Sequence, residues 1–171
     1  MSRFTGCTPS TMGRAEFVAA FADIYEHSPW VAEQVFDQGL TRDDDQIEQL
    51  HSRMAAVMNN ADQQAQLEVI NAHPDLAGKA AVEGTLTLAS THEQAGAGID
   101  QCSAEEFARF TELNQAYRAK FRFPFIMAVK GANRHQILAA FEARIHNDYD
   151  TEFARAVQEI NKIAEFRLRA M

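Results

Sequence analysis

The chain has 171 residues, of which 46% are apolar, and its formal net charge is −8. This length is typical of one domain, and the apolar fraction is that of a globular protein rather than a disordered one. We therefore predict a single domain over residues 1–171. The negative charge argues against nucleic acid as a partner. No apolar stretch approaches the roughly 20 residues that a membrane span requires, so we also expect no membrane partner.

The cysteine content bears on the cellular compartment. Two cysteines, Cys7 and Cys102, are too few to form a disulfide framework. We expect two reduced thiols, which are typical of a cytoplasmic protein. The first residues, 1–6, lack the apolar core of a secretory signal peptide, which favours the same location.

Helical periodicity dominates the first 72 residues. Apolar side chains recur at spacings of three and four, and this pattern predicts helices near 14–27, 28–39, 43–58 and 62–72. Ser28 and Pro29 are typical of a helix start. The acidic run 43–45 also indicates a helix start, since carboxylates complement the positive end of the helix dipole.

Two segments interrupt the helical pattern in the second half of the chain. Residues 73–101 hold four of the eight glycines, so we predict short helical turns there at most. Ser103 and Glu106 fit a capping box and open a long helix. The second irregular segment is 121–131, and its part after Pro124 is predicted to form a short buried strand or an extended loop.

Two further helices, one around 137–145 and one following Thr151, close the chain. The predicted architecture is an all-α bundle of about seven helices with two irregular segments. Long irregular segments are unusual in a helical bundle and tend to be functional. Residues 73–101 and 121–131 are therefore the places where we expect a site.

His73 is the first candidate for chemistry, because an imidazole can exchange a proton at cellular pH. Pro74 disfavours a helical conformation at the preceding residue, so His73 is expected to mark a helix end. Such a position is also compatible with a purely structural histidine. Glu93 could share the proton transfer or orient the ring.

Two other interpretations of the residues around Glu93 remain open. His92 and Glu93 begin a zinc-protease motif, but position 96 is glycine and the six histidines show no ligand spacing. Ser90, Glu93 and Gln94 also fit an N-capping set with Ser90 as the cap. A helix start of that kind would present free N–H groups to an anionic ligand.

Residues 123–126 are most simply core packing. Extended backbone outside a sheet nevertheless leaves N–H and C=O groups that need partners, and a small planar ligand rich in amides would supply them. Arg144 and Arg167 lie on otherwise apolar helical faces, where a buried guanidinium needs an anionic partner. We favour a surface position for Arg144 and a functional one for Arg167.

Three motifs occur in order along the chain: His-Pro-Asp-Leu-Ala-Gly at 73–78, Ser-x-x-Glu-Gln-Ala-Gly at 90–96, and Phe-x-Phe-Pro-Phe-Ile at 121–126. Together they resemble the 2-oxo-4-hydroxy-4-carboxy-5-ureidoimidazoline (OHCU) decarboxylases, which form (S)-allantoin in urate breakdown. The resemblance covers nearly the whole chain. It extends to Leu113-Asn114-x-x-Tyr117, to Arg144 near Asn147-Asp148, and to Ile163-Ala164-x-x-Arg167-Leu168.

The resemblance implies an all-α fold, no cofactor and a homodimer acting on a small ureidoimidazoline. It implies that His73 is the catalytic histidine and Glu93 its acidic partner. The substrate contacts that it implies are Pro74, Ser90, Gln94, Phe125, Ile126, Met127, Ala128, Val129 and Arg167.

The sequence departs from the family pattern at two places. Arg122 stands where the family usually has glycine, and Ala97-Gly98 replaces a more usual leucine. Neither departure touches the implied catalytic pair. Two alternatives remain: a non-catalytic helical binding or scaffold protein, and a hydrolase or isomerase of a related ureide.

Overall fold

The computed structural model of the chain describes residues 1–78 and 84–171. Within these residues it contains eight α-helices and no β-strand, which confirms the predicted all-α class. No helix in these ranges is both long and apolar enough to cross a bilayer. The residues form two compact units, one of Met1–Ala72 with Ile160–Met171 and one of His73–Glu159.

The first unit is built from four helices and the end of the last one. They are α1 (Arg14–Phe21), α2 (Trp30–Asp37), α3 (Ile47–Asn60) and α4 (Gln63–Ala72). Each buries the apolar face that the sequence pattern predicts, because removing these side chains from water is the main driving force for packing. The fully buried residues include Phe17, Phe21, Val31, Val35, Leu50, Met54, Met58, Val69 and Ile70.

One helix end and one helix start in this unit differ from the prediction. Helix α1 ends at Phe21 rather than near 27, although Tyr25 remains buried, and its hydroxyl donates to Asn161 Oδ1 over 2.7 Å. The acidic run forms a 3-10 helix, Arg42–Asp45, instead of the first turn of α3. Its Asp44 turns inward, where it lies 2.7 Å from Arg53 Nη1 and also accepts from the N–H of Thr41 over 2.7 Å as part of a capping box.

The second unit contains α5 (Leu88–Gly96), α6 (Ala104–Phe121), α7 (Arg134–Arg144) and α8 (Tyr149–Arg169), the last of which continues into the first unit. Ser103 caps α6 through the predicted capping box with Glu106. Aromatic rings fill the interior of this unit. The buried rings belong to Tyr117, Phe121, Phe123, Phe125 and Phe141.

Helix α5 was not predicted. It occupies nine residues of a segment in which we expected short turns at most. Thr87 forms its N-cap, and Gly98, with φ +75°, follows its end. Residues 79–83 of the same predicted segment lie outside the described residues.

Residues 124–129 form an extended loop, one of the two alternatives predicted for the part after Pro124. Helix α6 ends at Phe121 in front of this loop, and the capping residue Arg122 has a φ of +61°, in the left-handed region. Glycine adopts this conformation without a steric penalty, whereas a residue with a Cβ atom does so at a cost.

Candidate active site

His73 lies directly after the last residue of α4, in front of Pro74, as the sequence predicts. The proline excludes a helical backbone at the preceding residue, so α4 ends there. The residue is 6% exposed. His73 is thus a buried histidine at a helix end, where the chain enters a turn at residues 75–77, called the 75–77 turn below.

Gln94 of α5 binds the 75–77 turn through both ends of its side-chain amide. Its Oε1 accepts from the N–H of Ala77 over 3.0 Å, and its Nε2 donates to the carbonyl oxygen of Asp75 over 3.3 Å. Gln94 and Ala77 are both buried, so each of these groups would otherwise lose its partner away from water. The two bonds tie the helix that carries Glu93 to the turn that follows His73.

Helix α6 holds the same turn from a second side. Asn114 Nδ2 donates to the carbonyl oxygen of Leu76 over 2.9 Å, and Arg118 Nε lies 2.9 Å from Asp75 Oδ1. Ala77 adopts a left-handed φ of +52°, which is rare for residues other than glycine. Such a conformation persists where surrounding contacts over-determine it, as these side chains do.

The remaining polar candidates on α5 follow from how the helix begins. The Thr87 hydroxyl accepts from the N–H of Ser90 over 3.2 Å, so Thr87 is the cap and the interpretation of Ser90 as the cap is wrong. Ser90 and Gln94 lie one helical turn apart and are buried, whereas Glu93 is half-buried. Within residues 1–78 and 84–171, no three His, Cys, Asp or Glu side chains are grouped as metal ligands would be.

The loop at 125–129 has an unusual set of backbone groups. Phe125, Ile126 and Val129 are buried, and Met127 and Ala128 are half-buried. The N–H groups of these five residues donate no hydrogen bond to any residue that the structure describes. Buried N–H groups without partners are rare in folded proteins. The loop therefore has the donors that a small ligand rich in carbonyl groups requires.

Arg144 is buried, contrary to the surface position that we favoured. Its side chain is 8% exposed, and its Nη2 lies 2.9 Å from Oε2 of the fully buried Glu152. The Tyr117 hydroxyl and Asn147 Nδ2 also donate to Glu152. Burial alone would raise the pKa of Glu152, but hydrogen bonds from Arg144, Tyr117 and Asn147 hold it below its usual value.

The same guanidinium reaches the loop at 125–129. Arg144 Nη1 donates to the carbonyl oxygen of Ile126 over 2.7 Å. The prediction missed Glu152, although the sequence carries a signal for it. Glu152 lies four residues before Ala156 and eight before Ile160, so helical spacing places its carboxylate on the same buried face of α8.

Arg167 lies in the part of α8 that belongs to the first unit. Its Nη1 lies 2.8 Å from Oε2 of the buried Glu26 and donates to the carbonyl oxygen of Asp23 over 3.1 Å. The expected anionic partner of this buried guanidinium is thus a glutamate of its own unit. A contact between Arg167 and substrate stays a prediction.

The candidate residues can be compared with those of known proteins. The family model for OHCU decarboxylase matches residues 10–169. An OHCU decarboxylase of Haloferax volcanii is 42% identical over 152 residues, which are 89% of this chain and 86% of the relative. One of Halalkalicoccus jeotgali is 39% identical over 171 residues, 100% of this chain and 93% of the relative.

A solved structure agrees with the sequence relatives. The crystal structure of an (S)-allantoin synthase superimposes with a TM-score of 0.75 at 32% identity. The match covers 95% of this chain and 52% of that one, so the chain spans about half of the synthase. With a family model that matches almost every residue and relatives above 30% identity over most of both lengths, this chain belongs to the OHCU decarboxylase family.

Proposed function

We propose that His73, oriented by Glu93, performs the acid–base chemistry by which this chain decarboxylates OHCU to (S)-allantoin. The chain is a carboxy-lyase of the OHCU decarboxylase family. The assignment of roles to its residues is our proposal. Substrate contacts would come from Pro74, Ser90, Gln94, the loop at 125–129 and Arg167.

The substrate determines what the residues have to do. When the bond between the ring carbon and the carboxylate breaks, the electron pair forms a C=C bond with the neighbouring ring carbon. The electrons of the adjacent C=N bond move onto nitrogen, which takes up a proton. The substrate therefore carries its own electron sink, and the protein has to manage protons.

His73 is suited to remove the hydroxyl proton of the substrate as carbon dioxide leaves, since an imidazole accepts a proton near neutrality. The hydroxyl carbon becomes a carbonyl, and a proton delivered to one face of the neighbouring carbon fixes the S configuration. Glu93 would orient the imidazole and stabilise its protonated form. A correctly placed acid or base contributes about 10²- to 10⁴-fold to a rate.

The observation that carries this proposal is the pair of hydrogen bonds made by Gln94. Gln94 follows Glu93 in α5, and its amide binds Asp75 and Ala77, two and four residues after His73. The helix that carries Glu93 and the turn that follows His73 are thus joined by direct hydrogen bonds. The N–H groups at 125–129, which donate to no residue within 1–78 and 84–171, support binding of the ureido and ring oxygens.

Substitution of each residue tests the assignment. We expect His73→Ala and Glu93→Gln to lower kcat by at least about 10²-fold, because each removes a proton-transfer or orienting group. The assay follows the optical activity of (S)-allantoin formed from freshly generated OHCU by circular dichroism, together with release of carbon dioxide. His92→Ala is the matched control, an exposed histidine beside Glu93 on the same helix.

The control should keep wild-type kcat and KM. A His73→Ala enzyme that turns over at the wild-type rate would refute the assignment. Formation of a ureide product without carbon dioxide would instead favour the hydrolase or isomerase alternative.

We further propose that the protein acts in the cytoplasm as a homodimer. Both cysteines are free, which suits a reducing compartment.

The dimer is supported by exposed apolar side chains. Leu88 is 82% exposed and Phe107 is 39% exposed, and two copies could bury such apolar surface. Sedimentation equilibrium tests the dimer: we expect twice the chain mass, and a lower dimer affinity for Leu88→Gln. A monomer at every concentration would contradict it, and cell fractionation tests the location.

A further inference from the structure

We propose that Arg144 is a positioning residue that polarises the Ile126–Met127 peptide group, so that the Met127 N–H becomes a stronger donor to the ring carbonyl oxygen of the substrate. The inference rests on the proposed binding of substrate by the loop at 125–129. It assigns a function to a buried cation that takes no part in the proposed acid–base chemistry.

Arg144 contacts two consecutive residues of the loop by different interactions. Its Nη1 donates to the Ile126 carbonyl oxygen over 2.7 Å, the short distance of a charge-assisted hydrogen bond. Its guanidinium carbon lies 4.3 Å from the centroid of the Phe125 ring. The Phe125 ring also stacks against the Phe141 ring, with the centroids 3.9 Å apart and the planes 10° from parallel.

The guanidinium is held rigidly. Its Nε and Nη2 both donate to Glu152 Oε2, over 3.1 and 2.9 Å. Glu152 in turn accepts from the Tyr117 hydroxyl and, over 2.8 Å, from Asn147 Nδ2. A donor that is fixed before the reaction needs no reorganisation when charge develops, which is the main advantage of a preorganised site.

The Ile126 carbonyl and the Met127 N–H belong to the same peptide group. A hydrogen bond to the carbonyl oxygen draws electron density away from the N–H and strengthens it as a donor, by about 10–30% per bond in chains of hydrogen bonds. The Met127 N–H donates to no residue in the described part of the chain. It is therefore available to a ligand.

The substrate has an acceptor that gains charge during the reaction. The C=N nitrogen is conjugated with the ring carbonyl, so part of the negative charge released by loss of carbon dioxide reaches that oxygen. A strengthened N–H stabilises this charge more than it stabilises the ground state. Such an interaction raises kcat and leaves KM almost unchanged.

The test uses two variants of the full chain. Arg144→Lys keeps the charge, but a single ammonium cannot reproduce the fork that spans Glu152 and Ile126. A double variant, Arg144→Met with Glu152→Leu, replaces the buried pair by apolar side chains, an exchange that folded proteins often tolerate. Arg109→Lys is the matched control, because Arg109 makes exposed ion pairs with Glu112 and Glu142.

Two readouts are measured on each folded variant. The amide ¹H and ¹⁵N chemical shifts of Met127, measured without substrate, report the hydrogen bond at the preceding carbonyl. We expect both shifts to move upfield in the Arg144 variants and to stay unchanged in Arg109→Lys. We expect kcat to fall about 10-fold with KM within about threefold of wild type, as for loss of a transition-state interaction.

Each possible result supports or overturns the inference about Arg144. An unmoved Met127 signal overturns the polarisation, and a moved signal with wild-type kcat overturns its catalytic effect. A rise in KM at constant kcat would make Arg144 a determinant of ground-state binding and would also overturn the inference. Full activity of the Arg144 variants beside an inactive His73→Ala refutes this inference alone, whereas an active His73→Ala refutes the proposed function.

Discussion

Replacing Gln94 with alanine should lower the free energy of unfolding by about 1.5–4 kcal/mol. The change removes both hydrogen bonds to the 75–77 turn and leaves the buried N–H of Ala77 without its acceptor. An unsatisfied buried donor costs about 1–3 kcal/mol, and loss of the longer bond to Asp75 adds about 0.5–1 kcal/mol. For a chain of this length, the loss corresponds to a fall in Tm of roughly 3–16 °C.

Urea unfolding followed by far-ultraviolet circular dichroism measures the effect. Gln115→Ala is the matched control, since Gln115 is exposed on α6 and its truncation should change stability by no more than about 0.5 kcal/mol. The free energy of unfolding of Gln94→Glu should lie between those of Gln94→Ala and Gln115→Ala, because a carboxylate still accepts from Ala77 but cannot donate to the Asp75 carbonyl. Equal midpoints for Gln94→Ala and Gln115→Ala, together with a raised KM for the former, would show that Gln94 acts on the substrate and does not hold the turn.

Three further results are expected. Because the pKa of Glu152 is lowered from its usual 4.5, its stabilising contribution is complete above that pH and is lost as the pH falls through the lowered value. The urea midpoint should therefore drop in acid, and Glu152→Gln should show a smaller drop; an equal drop contradicts this. Ser103→Ala should cost about 1 kcal/mol, since its hydroxyl caps α6 through the Glu106 N–H, and an unchanged midpoint would argue against the cap. Chelators should leave kcat unchanged, whereas inhibition that added zinc reverses would restore the metal-site interpretation.

Local signals in the sequence predicted most of the fold. The end of α4 at His73 and the start of α6 at Ser103 follow from the proline and the capping box, which act within a few residues of themselves. Helix α5 escaped prediction because glycines surround it and its cap is Thr87, a residue that lies outside the expected capping set. Short helices of this kind form only where tertiary contacts such as those of Gln94 hold them.

The site was harder to predict than the fold. The roles of His73 and Glu93 were inferred from the family resemblance, which the family model and the relatives confirm at the level of the family. The partners of Arg144 could not be predicted, because one lies on another helix and the other is a backbone carbonyl. Sequence patterns identify side chains that leave the solvent, but they do not identify the backbone groups that those side chains meet.

Arg122 has a consequence for how this family can diverge. An L-residue in the left-handed conformation costs about 1–2 kcal/mol, whereas glycine at the same position costs about 0.5–1 kcal/mol of chain entropy on folding. The two costs largely cancel, so the exchange of the usual glycine for Arg122 changes folding stability by little more than about 1 kcal/mol. At the end of α6, a long and exposed cation can therefore be gained or lost during evolution with little change in folding stability.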